Sequence, residues 1–239
     1  MYAMRVEPYG VGSIVHITNR GVRGTDIVRD TADKRNFMRS LFYLNDTYTS
    51  RNWRREIADI GMFERPSVWP ERDPLARILA WTLLDNHFHL LAQEIREGGV
   101  AKFMQRLCGS LAMSFNLKYR EKGSIFQSSY HARSVTEDKH HQYLVFYVLV
   151  KNVLDLYPGG LTAAALNFDD AWEWAKQYPY SSFRDSIAGK ESPVLADPDM
   201  LIASILGTGD VYKQEAKDML DFHLASRGEA FKDIMLEPW

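Results

Sequence analysis

The stretch Trp81-Thr-Leu-Leu-Asp-Asn-His-Phe-His-Leu-Leu-Ala-Gln93 constrains the fold more than any other part of the chain. It is dominated by β-branched, aromatic and aliphatic residues and lacks Gly and Pro, which predicts a strand. In an extended chain alternate side chains share a face, so His87 and His89 point the same way. On a helix, positions two apart diverge and the pair would hold nothing between them. Two neutral imidazoles on one strand face can bind a divalent metal and leave positions open for water, substrate oxygens or a third ligand. Taken alone, His-x-His is more often two polar residues on the solvated face of an amphipathic strand, so the rest of the chain has to decide.

With 239 residues the chain can bury one large core, and the net charge of -2 at first argues against a nucleic-acid partner. The charges are unevenly spread, however. Residues 100–135 hold six Lys/Arg against one acid and residues 1–60 hold ten against seven, whereas residues 136–239 hold nine against seventeen. A basic surface from the first two segments is therefore compatible with DNA or RNA binding. No apolar run reaches the length of a membrane span, and the opening Met-Tyr-Ala-Met-Arg lacks the apolar centre of a secretory signal. The expectation is a cytoplasmic protein without a membrane partner. Cys108, the single cysteine, excludes an internal disulfide and a cysteine zinc cluster, and reads as a small buried residue.

Along the chain, Ser13–Asn19 predicts a strand, and Arg20-Gly-Val-Arg-Gly24 a turn, from which Thr25–Val28 returns antiparallel. Arg20 and Arg23 at this tip can clamp phosphates, with Asn19 free for a base edge, and an ordinary solvated turn explains them as well. Asp30-Thr31 caps a helix whose stripe of Phe37, Leu41, Leu44 and Tyr48 faces the core. Residues 51–74, broken by Pro66, Pro70 and Pro74, predict an inserted loop containing one helical turn. After Gly98-Gly99, the stripe Val100, Phe103, Met104, Leu107, Leu111 and Phe115 predicts a helix, with Lys102 and Arg106 off the stripe and Lys118 and Arg120 at its end. Ser124–Val135 predicts a second ligand-facing strand, on which Gln127, His131 and Arg133 share parity. A further helix from Thr136 carries Tyr143, Tyr147 and Leu154 and is apolar around most of its circumference. Tyr147 and Lys151 stand one turn apart on it. No phosphate-binding glycine loop or nucleophilic-serine motif is present, which moves nucleotide-cofactor enzymes down the list.

Over roughly residues 10–206 the chain resembles the REP-associated tyrosine transposases, members of the single-tyrosine HUH transposases that act on single-stranded DNA. The resemblance rests on Val15-His-Ile-Thr-Asn-Arg-Gly21, Asn86-His-Phe-His-Leu-Leu91, Phe126-Gln127, the spacing from Val135 to Tyr147, and Tyr180-Ser-Ser-Phe-Arg184, in that order. It implies an α+β fold, a central antiparallel sheet with packed helices of the ferredoxin-like HUH kind. It also implies that His87 and His89 hold Mg²⁺ or Mn²⁺ at the scissile phosphate, and that Tyr147 attacks it to leave a 5′-phosphotyrosine and a free 3′-OH. This chain has Asp85 where the family usually has Pro, and Asn152-Val153 in place of an Asn-Pro pair, shifted by one residue. A polar ligand one turn after the tyrosine falls on Lys151, which cannot coordinate a metal but can help activate the phenol. A bulged helix would instead bring Asn152 in as third ligand.

The expected organisation is a catalytic domain over residues 1–190, with the 51–74 insertion, and a packed helical extension over 191–239. The expected DNA contacts are Asn19, Arg20, Arg23, Lys102, Arg106, Lys118, Arg120, Gln127, His131 and Arg133, and the expected partner is single-stranded or hairpin DNA from repeated palindromes, bound by a monomer or a homodimer. Two other readings stay open: a domesticated hairpin-binding regulator that cleaves nothing, and a metal-dependent nuclease that uses water.

Overall fold

A computed structural model describes residues 4–5, 9–135, 138–190, 192–196, 201–207 and 209–226. The start expected at Thr136 for the tyrosine helix, and parts of the extension expected over 191–239, lie outside the described residues.

The chain is α+β. Strands β2 (Ile14–Arg20), β3 (Ala76–Leu83), β4 (His87–Glu94) and β5 (His131–Val135) form an antiparallel sheet in the order β5-β2-β4-β3, and β1 (Met4–Arg5) adds a short parallel pairing at the β5 edge. Helices α1 (Thr31–Tyr43) and α3 (Gly99–Tyr119) make the crossovers β2-α1-β3 and β4-α3-β5, the connectivity of a ferredoxin-like sheet. The one-turn helix α2 (Trp53–Glu56) lies within the predicted 51–74 insertion.

Period-two alternation divides the sheet between two cores. Val15, Ile17, Phe88, Leu90 and Ala92 point to α1 and α3, where they meet Phe37, Leu41, Phe103, Met104 and Leu107. Leu91, on the opposite parity of β4, joins a second cluster with Tyr143, Tyr147 and Val150 of the tyrosine helix. That helix consists of α4 (Asp138–Phe146), a π-helical turn (Tyr147–Lys151) and α5 (Asn152–Leu154). The same cluster takes in residues of α6 (Gly160–Leu166), α7 (Phe168–Ala175), α8 (Phe183–Ile187), α9 (Leu201–Leu206) and α10 (Gly209–Ala225). Burying one large apolar side chain contributes about 1.5–3 kcal/mol, so both layers hold the sheet firmly.

Three local expectations need correction. Thr25–Val28 does not return as a strand: Val22–Gly24 is a 3₁₀ turn, and β2 finds its partners in β4 and β5 instead. Trp81–Gln93 is two strands joined by a tight turn in which the Leu84 N–H donates to His87 O at 2.9 Å. Within Ser124–Val135 only His131–Val135 is a strand. Phe126 makes a single bridge to Gly21, and the irregular residues between break the parity of Gln127 with His131 and Arg133. Asp30 does cap α1, its carboxylate accepting from Asp33 N–H at 3.0 Å. The Tyr180-Ser-Ser-Phe segment covers the open edge of β3: Leu83 N–H donates to Tyr180 O and Ser182 N–H to Trp81 O, both at 2.9 Å.

Candidate active site

His87 and His89 share the face of β4 that looks toward the tyrosine helix, their rings 5.0 Å apart. His89 is fully buried and its ring lies 5.4 Å from that of Tyr147, edge to face. His87 is partly exposed, and its Nδ1 is 2.6 Å from Asn86 Oδ1. Arg20 stands directly opposite His87 on β2.

The third histidine of the site, His16, is one to which sequence reasoning assigned no role. It is fully buried, its ring stacked on His89 at 5.3 Å, with Nε2 3.0 Å from His89 Nδ1. Thr18 is the register partner of His89, so His16 is its diagonal neighbour on the same sheet face. The sequence did carry a signal: a histidine inside Ile14-Val-His-Ile17, on the parity opposite to the apolar Val15 and Ile17.

The pairing also fixes tautomers. If His89 Nε2 offers its lone pair to a ligand, Nδ1 carries the proton and donates it to His16 Nε2. Burial, followed by the electrostatic influence of His87, His16, Lys151 and Arg20, drives the His89 pKa well below the usual histidine range, so its imidazole is neutral. A neutral imidazole is the form that ligates metals.

On the facing helix, the turn from Tyr147 to Lys151 is π-helical, and Asn152 N–H donates to Tyr147 O. This i→i+5 turn brings residue 152 back beneath residue 147, which an α-helix would not do. Widening a turn disturbs the ladder of carbonyl acceptors, and Val148 O in this turn accepts from the Thr82 hydroxyl of β3, which ties the bulge to the sheet. Asn152 is fully buried, and both amide atoms, like His89 Nε2, lack a hydrogen-bond partner. Each such orphan costs about 1–3 kcal/mol unless something fills it. Lys151 is buried and ion-paired to Asp155 at 2.8 Å, and its Nζ sits 5.0 Å from the Tyr147 ring centroid.

Among the described residues no group of three His, Cys, Asp or Glu side chains gathers around a metal position. Two imidazoles and one amide form a different donor set, which the orphaned atoms fit. Tyr147 itself has no exposed surface and stacks on Tyr143, whose hydroxyl is 2.7 Å from His223 Nδ1 on α10.

The predicted DNA contacts fall into distinct places. Asn19, Lys102 and Gln127 line one cavity of about 920 Å³ between α3 and the 124–130 loop. Arg23 and Arg120 are exposed at left-handed backbone positions. His131 is 3.1 Å from Ser128 Oγ, and Arg133 is half-buried on β5. Two of these cations are already held by partners within the chain. Arg106 donates to Asp46 O and, at 2.9 Å, to Thr49 Oγ1, and Lys118 is ion-paired to Asp30 and Asp33 at 2.6 and 2.7 Å. Gly21, between the Arg20 strand and its turn, is obligatory because a Cβ there would lie 1.9 Å from Thr25 O.

Residues 72–149 match the family model described as transposase, IS200 like, a span that holds His87, His89 and Tyr147. No curated protein matches the chain. Among solved structures, that of the REP-associated tyrosine transposase bound to a REP hairpin aligns with 82% of this chain and 92% of its own, at 15% identity and a TM-score of 0.48. Among the described residues no helix is long and apolar enough to cross a membrane. The strand bearing His87 and His89 and the Tyr147 that it faces thus lie inside the span that is similar to the IS200-like transposases.

Proposed function

We propose that the protein nicks and rejoins single-stranded or hairpin DNA through a 5′-phosphotyrosine on Tyr147. The observation that carries this reading is the π-helical turn. It sets the tyrosine and a partnerless buried amide, Asn152, on one side of a helix that faces a partnerless buried imidazole, His89.

His87, His89 and Asn152 would hold Mg²⁺ or Mn²⁺. When bound, the ion supplies charge stabilisation at the scissile phosphate and its leaving oxygen. His16 acts through His89 by fixing its tautomer and ring orientation. Arg20, opposite His87, supplies a positive charge for the incoming phosphate. The Tyr147 oxygen forms a bond to phosphorus as the bond from phosphorus to the 3′-oxygen breaks. The phenolic proton is released, and the departing oxygen takes one up. Lys151, with its ammonium beside the phenol ring, favours the phenolate that attacks. Because the phosphodiester is conserved in the phosphotyrosine, a 3′-OH can reverse the step without ATP. Since Tyr147 is fully buried, the strand gains access only when the elements packed over it move.

The test is to incubate end-labelled stem-loop DNA having single-stranded flanks with the protein and Mn²⁺, then analyse both new ends. The reading predicts a free 3′-OH and a protein-blocked 5′ end. A free 5′-phosphate would indicate water as nucleophile, and binding without cleavage would indicate a regulator.

A further inference from the structure

The site above accounts for phosphate chemistry on one face of the sheet and leaves the cavity between α3 and the 124–130 loop, on the other face, without a role. We propose that this cavity receives an unpaired nucleobase from the strand that crosses the His87 end of the sheet. The inference rests on the proposed DNA reaction and deepens it, since it names where that reaction would read sequence.

The cavity measures about 920 Å³, room for a nucleotide, and lies between α3 and the 124–130 loop. Its lining mixes aromatic and apolar surface from Phe126, Tyr130 and Met104 with polar side chains from Asn19, Gln105 and Gln127. Nucleobases need this combination, because each has a π-face for stacking and an edge of donors and acceptors. Two of the polar groups are buried and poorly served. The Tyr130 hydroxyl has no hydrogen-bond partner, and Asn19 Nδ2 reaches only the sulfur of Cys108, at 3.4 Å. Burial pushes the Cys108 thiol up to about 12, so it lines the cavity as an inert neutral group and not as a nucleophile.

Position supplies the link to the reaction. Asn19 is the register partner of Phe88, and Arg20 that of His87, so successive residues of β2 face the cavity and the histidine side. Gln127 N–H donates to Arg20 O at 2.9 Å, which seats the cavity rim on the same strand end. Because Asn19 and Arg20 are consecutive and face opposite sides, a strand with its phosphate at His87 can carry a neighbouring base over the end of β2 into the cavity.

The experiment is a selection from a pool of stem-loops with randomised single-stranded flanks, run in EDTA so that cleavage plays no part, with native protein and with Gln127→Ala and Ala112→Phe. Gln127→Ala removes an exposed edge-reading amide and Ala112→Phe fills the cavity, while thermal unfolding verifies that each variant is folded. The expected result is a base preference at one or two flank positions in the native protein. That preference should weaken on the order of ten-fold in both variants, with the stem-loop preference retained. Folded variants with the same base preferences as the native protein would overturn the cavity assignment alone. Native protein that retains no DNA at all would overturn both this assignment and the reaction on which it rests.

Discussion

Two clusters of polar side chains, both made by residues far apart in sequence, differ in how completely they are satisfied. Where α1 and α3 meet, Lys118 pairs with Asp30 and Asp33, the Tyr119 hydroxyl donates to Asp33 at 2.6 Å and the Arg29 N–H at 2.8 Å. Burial works against the Lys118 ammonium, but the Asp30 and Asp33 hydrogen bonds outweigh it and hold its pKa above the ordinary lysine range. Between β4 and the tyrosine helix, by contrast, His89 Nε2 and both amide atoms of Asn152 are buried with nothing to bond. A cluster that exists for the fold closes its hydrogen bonds, whereas one that exists for a ligand keeps them open at a cost in stability.

The contrast can be broken most sharply at the histidines. His87→Ala or His89→Ala should lower Mn²⁺-dependent nicking by on the order of 100-fold or more while leaving hairpin affinity in EDTA unchanged. Unchanged nicking in both variants would remove the metal assignment. His16→Phe should weaken Mn²⁺ binding, measured by calorimetry, by about 10- to 100-fold, and His16→Gln, whose carbonyl oxygen can still accept from His89 Nδ1, should recover most of the loss. Equal losses in the two variants would reduce His16 to a packing residue.

Asn152→Leu probes the open bonds directly. Removing a buried amide without partners should raise the stability of the metal-free protein by about 1–2 kcal/mol in urea, and should cancel the stabilisation that Mn²⁺ gives the native chain. A destabilised variant would mean that the amide is already satisfied.

His89 also sets a pH dependence. Its folded pKa lies well below the unfolded value of about 6.5, so as pH falls beneath that value the unfolded chain takes up a proton the folded one refuses. Stability should therefore be full above about pH 6.5 and decline toward the folded pKa, and His89→Gln should flatten the decline between about pH 6.5 and 5. The carboxylates Asp30, Asp33 and Asp73, held below 3.8, titrate outside that window. Smallest of all, Lys118→Met should lower Tm by only a few degrees and leave nicking and Mn²⁺ affinity untouched, as expected of an exposed, satisfied ion pair.

The legible parts of this chain were those whose signal is local. The stripe from Val100 to Phe115 and the Asp30 cap place α3 and α1 because helix period and capping are properties of neighbours in sequence. The β2 partners were not legible, since Thr25–Val28 carries as good a strand pattern as many real strands, and only tertiary pairing with residues about 70 to 120 positions away decides. The hairpin turn at Leu84–Asn86 was hidden by apolar residues on both sides. At the site, the shared face of His87 and His89 followed from strand alternation, but their tie to Tyr147 came from family resemblance. The π-helical turn leaves no mark in the apolar run Tyr147–Val150. Only the offset of Asn152 from its expected place hinted at it. His16 lies within the β2 motif, but nothing in sequence tells that its ring meets His89.

The central claim is that Tyr147 forms a covalent bond to DNA, and the most direct measurement is an adduct assay on a suitable stem-loop substrate with Mn²⁺, resolved on a denaturing gel and mapped by mass spectrometry. The account predicts a nucleotide-bearing peptide at Tyr147 in the native protein. Tyr147→Phe keeps the ring and nearly all its packing, so it should fold and bind DNA normally yet give no adduct, whereas Tyr143→Phe, one turn earlier, should still give one. Cleavage that persists in Tyr147→Phe, or an adduct lost only in Tyr143→Phe, would contradict it.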